Sequence, residues 1–271
     1  MEYPPGGLGT GCQLTYPTHL PPLFFQKIMI HYHGSPLSGS TDQQTEFYRN
    51  RHVLLSWATF CPNHVPITEV CSSFCIDNGA YSFWGKNIPV QWQDFYNFLD
   101  KWIHHPRFDF FLIPDVIDGA PQLNDDLIHI CRYPEYGVPI FHIGEPLERL
   151  EMFLEKGFKR IAIGTTKGYE LKSLNFWNEM RKIFDYICVD GVPQTKVHGL
   201  RMLDPEIVEA FPFSSGDSTT ATMEATFDVN WEKYPYAPIT KAGRAALVAD
   251  KIERTQSPSF YEPKPIQMEL I

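Results

Sequence analysis

The sequence lacks the features that mark membrane and exported proteins. Its apolar runs, such as Phe108 to Val116, are short and are broken by charged residues and proline, so none can cross a bilayer. The first residues, Met1 to Gly7, have neither the basic start nor the apolar core of a signal peptide. These absences predict a soluble protein that stays in the cytoplasm and has no membrane partner.

Cysteine is scarce and scattered. The six cysteines include no C-x-x-C pair, the spacing that is typical of zinc knuckles and dithiol redox sites. Exported proteins held by disulfides commonly have a denser cysteine pattern. The cysteines are therefore predicted to be reduced thiols rather than parts of a disulfide framework or a zinc knuckle.

Basic residues are fewer than acidic residues. There are 23 Lys and Arg against 32 Asp and Glu, which gives a net charge of −9. Because non-specific affinity for nucleic acid comes from neutralising phosphates, this balance argues against a general nucleic-acid coat. It leaves room for a nucleic-acid enzyme with a local basic face. Candidate cations for such a face, each of which also suits an ordinary solvated surface, are Lys167, Lys172, Lys196, Arg201, Lys241, Arg244 and Lys251.

What the sequence does contain is a series of short strand-like segments. Residues 1–24 are rich in proline and glycine and are predicted to form an irregular lead-in. Residues 25–271 are predicted to be one domain, because no linker or repeat divides them. The strand-like segments are Lys27 to His33, Val53 to Thr59, Ser73 to Asp77, Asp109 to Asp115, Val138 to Gly144, Lys159 to Gly164, Lys196 to Gly199 and Phe211 to Ser214.

Apolar residues recur at helical spacing in Val90 to His104, Leu147 to Lys156 and Leu174 to Tyr186. About eight strands separated by helical or long connections predict an α/β fold, a closed parallel (β/α)8 barrel of the TIM type. In such barrels the functional groups gather at the C-terminal ends of the strands. The residues predicted at those ends are His31, His33, Asp77, Asp115, His142, Gly164, His198 and Asp217.

Three of these residues are carboxylates from separate strands. Gathering them is costly unless they share protons or meet a substrate, so their convergence predicts an active site. Asp217 follows the aromatic segment Phe211 to Ser214 and is flanked by small residues. It is either the cap of a following helix or a nucleophile, and the other strand ends favour the nucleophile. Likewise, Asp77 is either part of a turn or catalytic, and Asp115 is either a helix cap or a binding residue.

A second chemical interpretation is a metal centre. His31 and His33 are two residues apart on one strand and point to the same side. With His142, His198 and Asp217 they would form the centre of a metal-dependent hydrolase of the amidohydrolase type. The alternative is that the two histidines lie inside the barrel and are satisfied by backbone or hydroxyl partners.

Five short motifs follow one another along the chain. They are Asp77-Asn-Gly-Ala-Tyr81, Phe111-Leu-Ile-Pro-Asp115, Ala162-Ile-Gly-Thr-Thr166, Val197-His-Gly-Leu200 and Phe213-Ser-Ser-Gly-Asp-Ser218. In this order they resemble the motifs of the tRNA-guanine transglycosylase superfamily, and the resemblance covers most of residues 27–220. The similarity is closer still to the shorter members of that superfamily, which insert 7-deazaguanine bases into DNA in phages and bacterial modification clusters.

The resemblance implies a role for each matching residue. Asp217 would attack C1′ of a flipped-out guanosine in DNA, and Asp77 would be the general acid and base. Asp115 would accept from N1–H and the amine of guanine. The remaining substrate-binding residues would be Tyr81 stacking on the base, Gly164 and Thr165 donating backbone N–H groups to O6, and Asn78, His142 and His198. It implies neither a cofactor nor a metal, because one glycosidic bond replaces another.

The resemblance also has a gap. Family members that act on tRNA carry a C-terminal zinc site, whereas this chain has no cysteine after Cys188 and no histidine after His198. A barrel without the zinc subdomain favours DNA over tRNA as the substrate. The resemblance then implies that guanine in DNA is exchanged for a free base such as 7-cyano-7-deazaguanine, and that the modified DNA is protected from restriction. The resemblance also predicts that a second protein helps the chain to bind DNA. If a phage encodes the chain, the expected location is the cytoplasm of the host. The alternatives are a tRNA-guanine transglycosylase, the metal-dependent hydrolase and a non-catalytic barrel that binds nucleic acid or a partner.

Overall fold

A computed structural model describes residues 28–117 and 119–263 of the chain. The predicted lead-in, residues 1–24, lies outside the described residues. The described part is an α/β fold in which short strands alternate with helices. None of its helices is long and apolar enough to cross a membrane.

Nine parallel strands form one sheet, and a separate two-stranded hairpin lies beside it. In chain order the strands are β1 (Ile30–Gly34), β2 (His52–Ser56), β3 (Ser73–Asp77), β4 (Phe108–Leu112), β5 (Gly137–Val138), β6 (Ile140–His142), β7 (Arg160–Gly164), β8 (Cys188–Val189), β9 (Val192–Pro193), β10 (Lys196–Gly199) and β11 (Ser215–Ser218). The sheet order is β5-β4-β3-β2-β1-β11-β10-β7-β6, and β8 and β9 form the hairpin.

The sheet curls into a nearly closed barrel. Its two outer strands, β5 and β6, are consecutive in the chain and are separated only by Pro139. Strand β5 pairs with β4, and β6 pairs with β7. Because proline has no N–H to donate, it interrupts the ladder at this point. The arrangement confirms the predicted α/β class and is compatible with a TIM-like barrel.

Helices cover the outside of the barrel. They are α1 (Thr41–Tyr48), α2 (Val65–Val70), α3 (Ala80–Gly85), α4 (Trp92–Leu99), α5 (Pro121–His129), α6 (Glu148–Glu155), α7 (Leu174–Ile187), α8 (Pro205–Ala210), α9 (Thr220–Thr226) and α10 (Lys241–Glu253). Side chains alternate along each strand between the two faces of the sheet. A small cluster that includes Tyr32, Leu54 and Phe110 fills the interior. A much larger cluster lies between the strands and the helices.

A register shift in β4 gives the interior a polar floor. The pairing of β3 with β4 slips between Phe74 and Ile76, and as a result Asp109 and Phe110 both contact Tyr32. The Tyr32 hydroxyl donates to Asp109, whose other partner is Arg160 at 3.2 Å. A buried charge is tolerated when it is paired and hydrogen-bonded. The interior of the barrel therefore contains an ion pair between Asp109 and Arg160.

Two of the predicted strands match the structure fully, and one is wrong. Ser73–Asp77 and Lys196–Gly199 have the predicted bounds. The predicted strand Phe211 to Ser214 is instead a loop, and the strand is Ser215–Ser218. Phe211 stacks on Phe184 of α7, with ring centroids 4.8 Å apart. This aromatic contact with a helix places Phe211 in the outer core, not in the sheet.

The two histidines of β1 face outward, between the barrel and its helices. The imidazole Nε2 of His33 lies 2.8 Å from Glu253 at the end of α10, and Arg51 also contacts Glu253, at 2.5 Å. The Nε2 of His31 lies 2.9 Å from the carbonyl oxygen of Thr255. The prediction that both point to one side is confirmed. The predictions that they lie in the barrel interior or join the active-site residues are wrong, because the even positions of β1 face inward.

Candidate active site

Three carboxylates meet at the C-terminal end of the barrel. Asp77 is the last residue of β3, Asp115 follows β4, and Asp217 lies in β11. Asp115 and Asp217 are both 5% exposed. Each of them contributes to raising the pKa of Asp77, so the three are electrostatic neighbours. The predicted convergence of these residues is confirmed.

Asp77 is the carboxylate with the fewest donors. Burial, with smaller contributions from Asp115 and Asp217, raises the pKa of Asp77 from 3.8 to about 6. Ser56, which pairs with Asp77 across the sheet, and Arg201 act in the opposite direction. A carboxyl group with a pKa near 6 can give and take a proton close to neutral pH, as a general acid and base must.

Asp115 is held by donors on both of its oxygens. Asn78 Nδ2 donates to Oδ1 at 2.8 Å, and the imidazole Nε2 of His142 lies 3.0 Å from Oδ2. The α5 helix begins instead after Ala120. Asp115 is therefore not the helix cap that its position after a proline allowed. It is a fixed acceptor in the interior of the site.

His142 is in turn backed by a second carboxylate. Its Nδ1 lies 3.5 Å from Glu145 Oε1, and its backbone N–H donates to Glu145 Oε2 at 3.0 Å. Burial opposes the charged imidazolium, but hydrogen bonds to Asp115 and Glu145 outweigh it and raise the pKa of His142 to about 9. At neutral pH this side chain carries a positive charge between two carboxylates.

The environment of Asp217 differs from those of Asp77 and Asp115. The backbone N–H of Arg201 donates to its Oδ1 at 3.0 Å. His198 lies beneath it, with Nε2 3.3 Å from the same oxygen and Nδ1 2.9 Å from Ser215 Oγ. Burial lowers the pKa of His198, which keeps the imidazole neutral. The N-cap position of α9 is Thr219, so Asp217 is not a helix cap.

His198 is fully buried, with 0% of its surface exposed. The predicted contact between His198 and a base is therefore corrected. The side chain is covered by Asp217 and by the rings of Tyr32 and Phe110, at 5.9 and 5.2 Å. Its position on β10 places the imidazole directly beneath the Asp217 carboxylate.

A tight turn joins Asp77 to the aromatic residues at the barrel mouth. Gly79 has φ = 78°, and a Cβ there would lie 2.7 Å from Ala58 Cβ. Glycine is therefore required by both conformation and space. Asn78, not Asp77, builds the turn, because its Oδ1 accepts from the Ala80 N–H at 2.8 Å.

Tyr81 lies at the start of α3 and is 53% exposed. The guanidinium of Arg201 lies 4.4 Å from the centre of its ring, and the Trp84 ring lies 5.7 Å away. Tyr81 is therefore a surface residue and not part of the hydrophobic core. An exposed ring beside buried carboxylates is a surface on which a flat base can stack.

Gly164 is the last residue of β7 and lies beside His142, and Thr165 follows it in the chain. A Cβ on Gly164 would lie 3.3 Å from Leu200 Cδ1 and 3.8 Å from His142 Cδ2. Gly164 is buried and Thr165 is partly exposed. The predicted site residues thus lie together, with His198 beneath them and with His31 and His33 excluded.

Sequence reasoning did not assign several residues that complete the site, and it names Arg201 only as a candidate cation of a basic face. Arg201, Glu145 and Arg149 all contact predicted site residues or their partners. The spacing of four residues between Glu145 and Arg149 places both on one side of a helical turn and is a usable signal. Arg201 has φ = 58°, and nothing in the pattern of apolar residues indicates its position.

No metal centre is formed by the described residues, since no group of three or more His, Cys, Asp or Glu is arranged to hold an ion. His31 and His33 lie on the outer face of β1, away from His142 and Asp217. The arrangement required for the metal-dependent hydrolase is therefore not formed by the residues named for it.

A cleft of about 740 Å³ lies at the opposite end of the barrel. Its lining includes Lys159, Lys196 and Ser214, which precede or begin their strands. None of the three carboxylates lines it. We assign the chemistry to the carboxylate end because charged groups with altered pKa values mark functional sites more specifically than volume does.

Comparison of the chain with protein-family models, curated proteins and solved structures found no match.

Proposed function

We propose that the chain is a DNA-guanine transglycosylase that exchanges guanine for a 7-deazaguanine base through a covalent intermediate. The observation that carries the proposal is a set of three carboxylates, Asp115 and Asp217 buried and Asp77 half-buried, in three different surroundings at one end of a barrel. Counting Gly137 to His142 as one strand broken at Pro139 gives the eight strands of a (β/α)8 TIM-like barrel. The order of the motifs described above is that of the transglycosylases.

In the first step Asp217 attacks C1′ of the guanosine. The C1′–N9 bond breaks, its electron pair goes to the base, and Asp77 supplies the proton that neutralises the leaving guanine. The pKa of Asp77, about 6, suits this transfer. The Arg201 N–H and His198 orient Asp217 toward the sugar. The product is a sugar ester on Asp217.

In the second step the incoming base takes the position of guanine. Asp77, now a carboxylate, accepts the N9 proton of that base. Its N9 attacks C1′, the ester bond breaks, and Asp217 is released unchanged. Two displacements at C1′ retain the configuration of the sugar, as in retaining glycosidases. The reaction needs no energy source, because a glycosidic bond replaces a glycosidic bond.

The base is recognised by acceptors and by stacking. Asp115 accepts from N1–H and the exocyclic amine of guanine, and Tyr81 stacks on an extruded base. The backbone N–H groups at Gly164 and Thr165 are donors for O6. A 7-deaza base has carbon in place of N7 and is not activated by protonation there, so the exchange runs toward the modified base. In DNA such a base resists restriction.

The test follows a labelled base into nucleic acid. Labelled 7-cyano-7-deazaguanine is incubated with duplex DNA and, in parallel, with tRNA, using the wild-type chain and Asp217→Asn. We expect label in DNA with the wild type and at least a 1,000-fold loss of rate with Asp217→Asn, since removal of a nucleophile abolishes the covalent route. Asp126→Asn, on the exposed face of α5, is the matched control and should incorporate label at the wild-type rate.

Each other outcome has a definite meaning. Label in tRNA alone would replace the DNA substrate by tRNA and keep the mechanism. Equal labelling by wild type and Asp217→Asn would remove the nucleophile from the mechanism. Label in neither substrate, with folded protein, would contradict the proposed function.

A further inference from the structure

The orientation of the Asp115 carboxylate is fixed by its protein neighbours before any ligand binds. Its two oxygens each have one fixed donor, Asn78 on one side and His142 on the other. Asn78 is itself immobilised, because its Nδ2 also donates to the carbonyl oxygen of Ile113 at 2.8 Å and its Oδ1 accepts from Ala80. Each carboxylate oxygen has two lone-pair sites, so one site on each remains.

A chain of alternating charges continues behind His142. Glu145 contacts the imidazole, and Arg149 donates to Glu145. Arg149 also donates from Nε and Nη2 to Asp125 of α5, at 2.9 and 2.8 Å. We call this row of five charged side chains the relay. Its members, in order, are Asp115, His142, Glu145, Arg149 and Asp125. The relay runs from the site to the helices outside the barrel.

The relay is buried through most of its length. Asp115, His142 and Arg149 are 5%, 8% and 6% exposed. Taking charges out of water is costly unless each is paired and hydrogen-bonded. Here every charge has an opposite charge on at least one side. Burial opposes the ionisation of Glu145, but the hydrogen bonds from His142 and the positive charge of Arg149 outweigh it and lower the pKa of Glu145. Loss of one charge leaves its neighbours uncompensated.

We propose that His142 is a positioning residue, a charged imidazolium anchored by Glu145 and Arg149, which orients Asp115 to select a base edge with two adjacent N–H donors. The imidazole is fully used by Asp115 and Glu145 and has no N–H left for a base. The inference rests on the proposed function for the identity of the ligand, and it replaces the predicted contact between His142 and the base edge.

The selectivity follows from the two remaining lone-pair sites. Guanine and 7-deazaguanines present N1–H and a 2-amino group side by side, whereas hypoxanthine lacks the amine. A site built for two donors rejects a ligand that supplies only one, because an acceptor is then left unpaired. When His142 no longer fixes Asp115, the carboxylate turns freely, and the difference between the two bases shrinks.

The first test measures the charge of His142 without any ligand. The ¹H–¹⁵N signals of the imidazole are recorded at pH 7.5 in the full chain labelled at histidine. In the wild type we expect a proton on each of the two ring nitrogens. In Glu145→Gln we expect only one of the two nitrogens, Nδ1 or Nε2, to keep its proton. A single-proton, neutral imidazole in the wild type would overturn the proposal.

The second test measures selectivity. Dissociation constants for guanine and hypoxanthine are determined by calorimetry for the wild type, His142→Gln, Glu145→Gln and the matched control His104→Gln, an exposed histidine. We expect the preference for guanine to fall about tenfold in His142→Gln and Glu145→Gln, because the hydrogen bond to Asp115 loses its charge assistance, and to stay unchanged in the control. Gln keeps a donor but not the charge, so a preference equal to the wild type's in His142→Gln overturns the proposal.

The two tests separate this inference from the proposed function. If the wild type binds neither base, the proposed function fails, and the imidazole signals still decide whether His142 is charged and anchored. If the wild type exchanges bases and the variants keep the wild-type preference, the positioning role alone fails. In an active enzyme, His142→Gln should raise KM for the free base about tenfold and leave kcat nearly unchanged, since it removes binding present before the chemical step.

Discussion

The three carboxylates of the site show how neighbours decide the state of a residue. Asp115 is fixed by Asn78 and His142, and Asp217 by the Arg201 N–H and His198. Asp77 has no comparable donor, and burial raises its pKa to about 6. The same type of side chain therefore has three different environments, and the roles we propose for Asp115, Asp217 and Asp77 depend on this difference.

The raised pKa of Asp77 predicts a pH-dependent cost to stability. The folded state binds the proton more tightly than the unfolded state, so this group stabilises the fold below pH 4, and the contribution is lost as the pH rises through 6. Asp77→Asn carries no charge at any pH. Relative to the wild type, we expect it to gain on the order of 3 kcal/mol in unfolding free energy between pH 4 and pH 7.5.

Urea unfolding at pH 4 and pH 7.5 measures this gain. The control Asp126→Asn, on an exposed part of α5, should show the same difference from the wild type at both pH values. A pH-independent difference for Asp77→Asn would mean that Asp77 is not desolvated in the folded chain.

Most of the site residues could be predicted from where strands end. Asp77, Asp115, His142 and Asp217 each follow an apolar segment, and parallel strands bring such positions together. His31 and His33 were misassigned because a period of two does not say which face is inside. The inward face of β1 is set by Tyr32, whose partner Asp109 comes 77 residues later.

At the scale of elements, the last helix is held to the first strand by one carboxylate. Glu253 of α10 contacts His33 and Arg51. Burial opposes its ionisation, but these two hydrogen bonds outweigh it and lower the pKa of Glu253 to about 2. Helix α10 thereby closes over the outer face of β1.

Replacing Glu253 by glutamine should loosen this attachment. Its folded pKa lies below the unfolded value of 4.5, so the stabilisation is present above pH 4.5 and is lost as the pH falls through 2. The side chain is 35% exposed, and because water screens the pair we expect a loss of about 1–2 kcal/mol at pH 7.

Thermal unfolding of Glu253→Gln at pH 7 and pH 2.5 checks this expectation. Lys251→Gln, on the exposed side of the same helix, is the control. An equal loss at both pH values would assign the effect to packing and not to the ion pair.

Elements with a clear apolar period were predictable, and short or polar ones were not. The strand Ser73–Asp77 and the helix Leu174–Ile187 were found within one residue of their bounds. Strand β11 consists of small polar residues, which give no strand signal. The aromatic residues Phe211 and Phe213 do give one, so the predicted strand fell in the preceding loop. Helix α9 is too short for a period to show, and its position depends on packing against α10.

At the scale of the whole molecule, the barrel depends on a strand that comes late in the chain. Strand β11 is the sheet neighbour of both β1 and β10. A chain that ends at residue 210 lacks this strand, α9 and α10, so β1 and β10 become unpaired edges and Tyr32 loses part of its cover. We expect this truncated chain to lose its near-ultraviolet circular dichroism and to associate, since exposed edges pair with other chains.

Size-exclusion chromatography and circular dichroism of the truncated chain test this. A monomer with the aromatic spectrum of the full chain would show that the remaining strands form a stable sheet without β11. Spacing predicts about eight strands, whereas the sheet of the described residues has nine, because Pro139 divides one predicted strand into β5 and β6. The hairpin β8–β9 was not predicted. The break at Pro139 could not be predicted, because a proline within an apolar segment is compatible with either an edge or an interruption.

The pairing of β1 with β11 also sets a condition on synthesis. Ile30 pairs with Ser215, and a ribosome that adds 5–20 residues per second needs roughly 10–40 s to make the intervening chain. Throughout that time the nascent β1 has its second edge open to other strands. The order in which the chain emerges therefore makes the unfinished barrel a substrate for chaperones, and slowing translation before residue 215 should lower the yield of soluble protein.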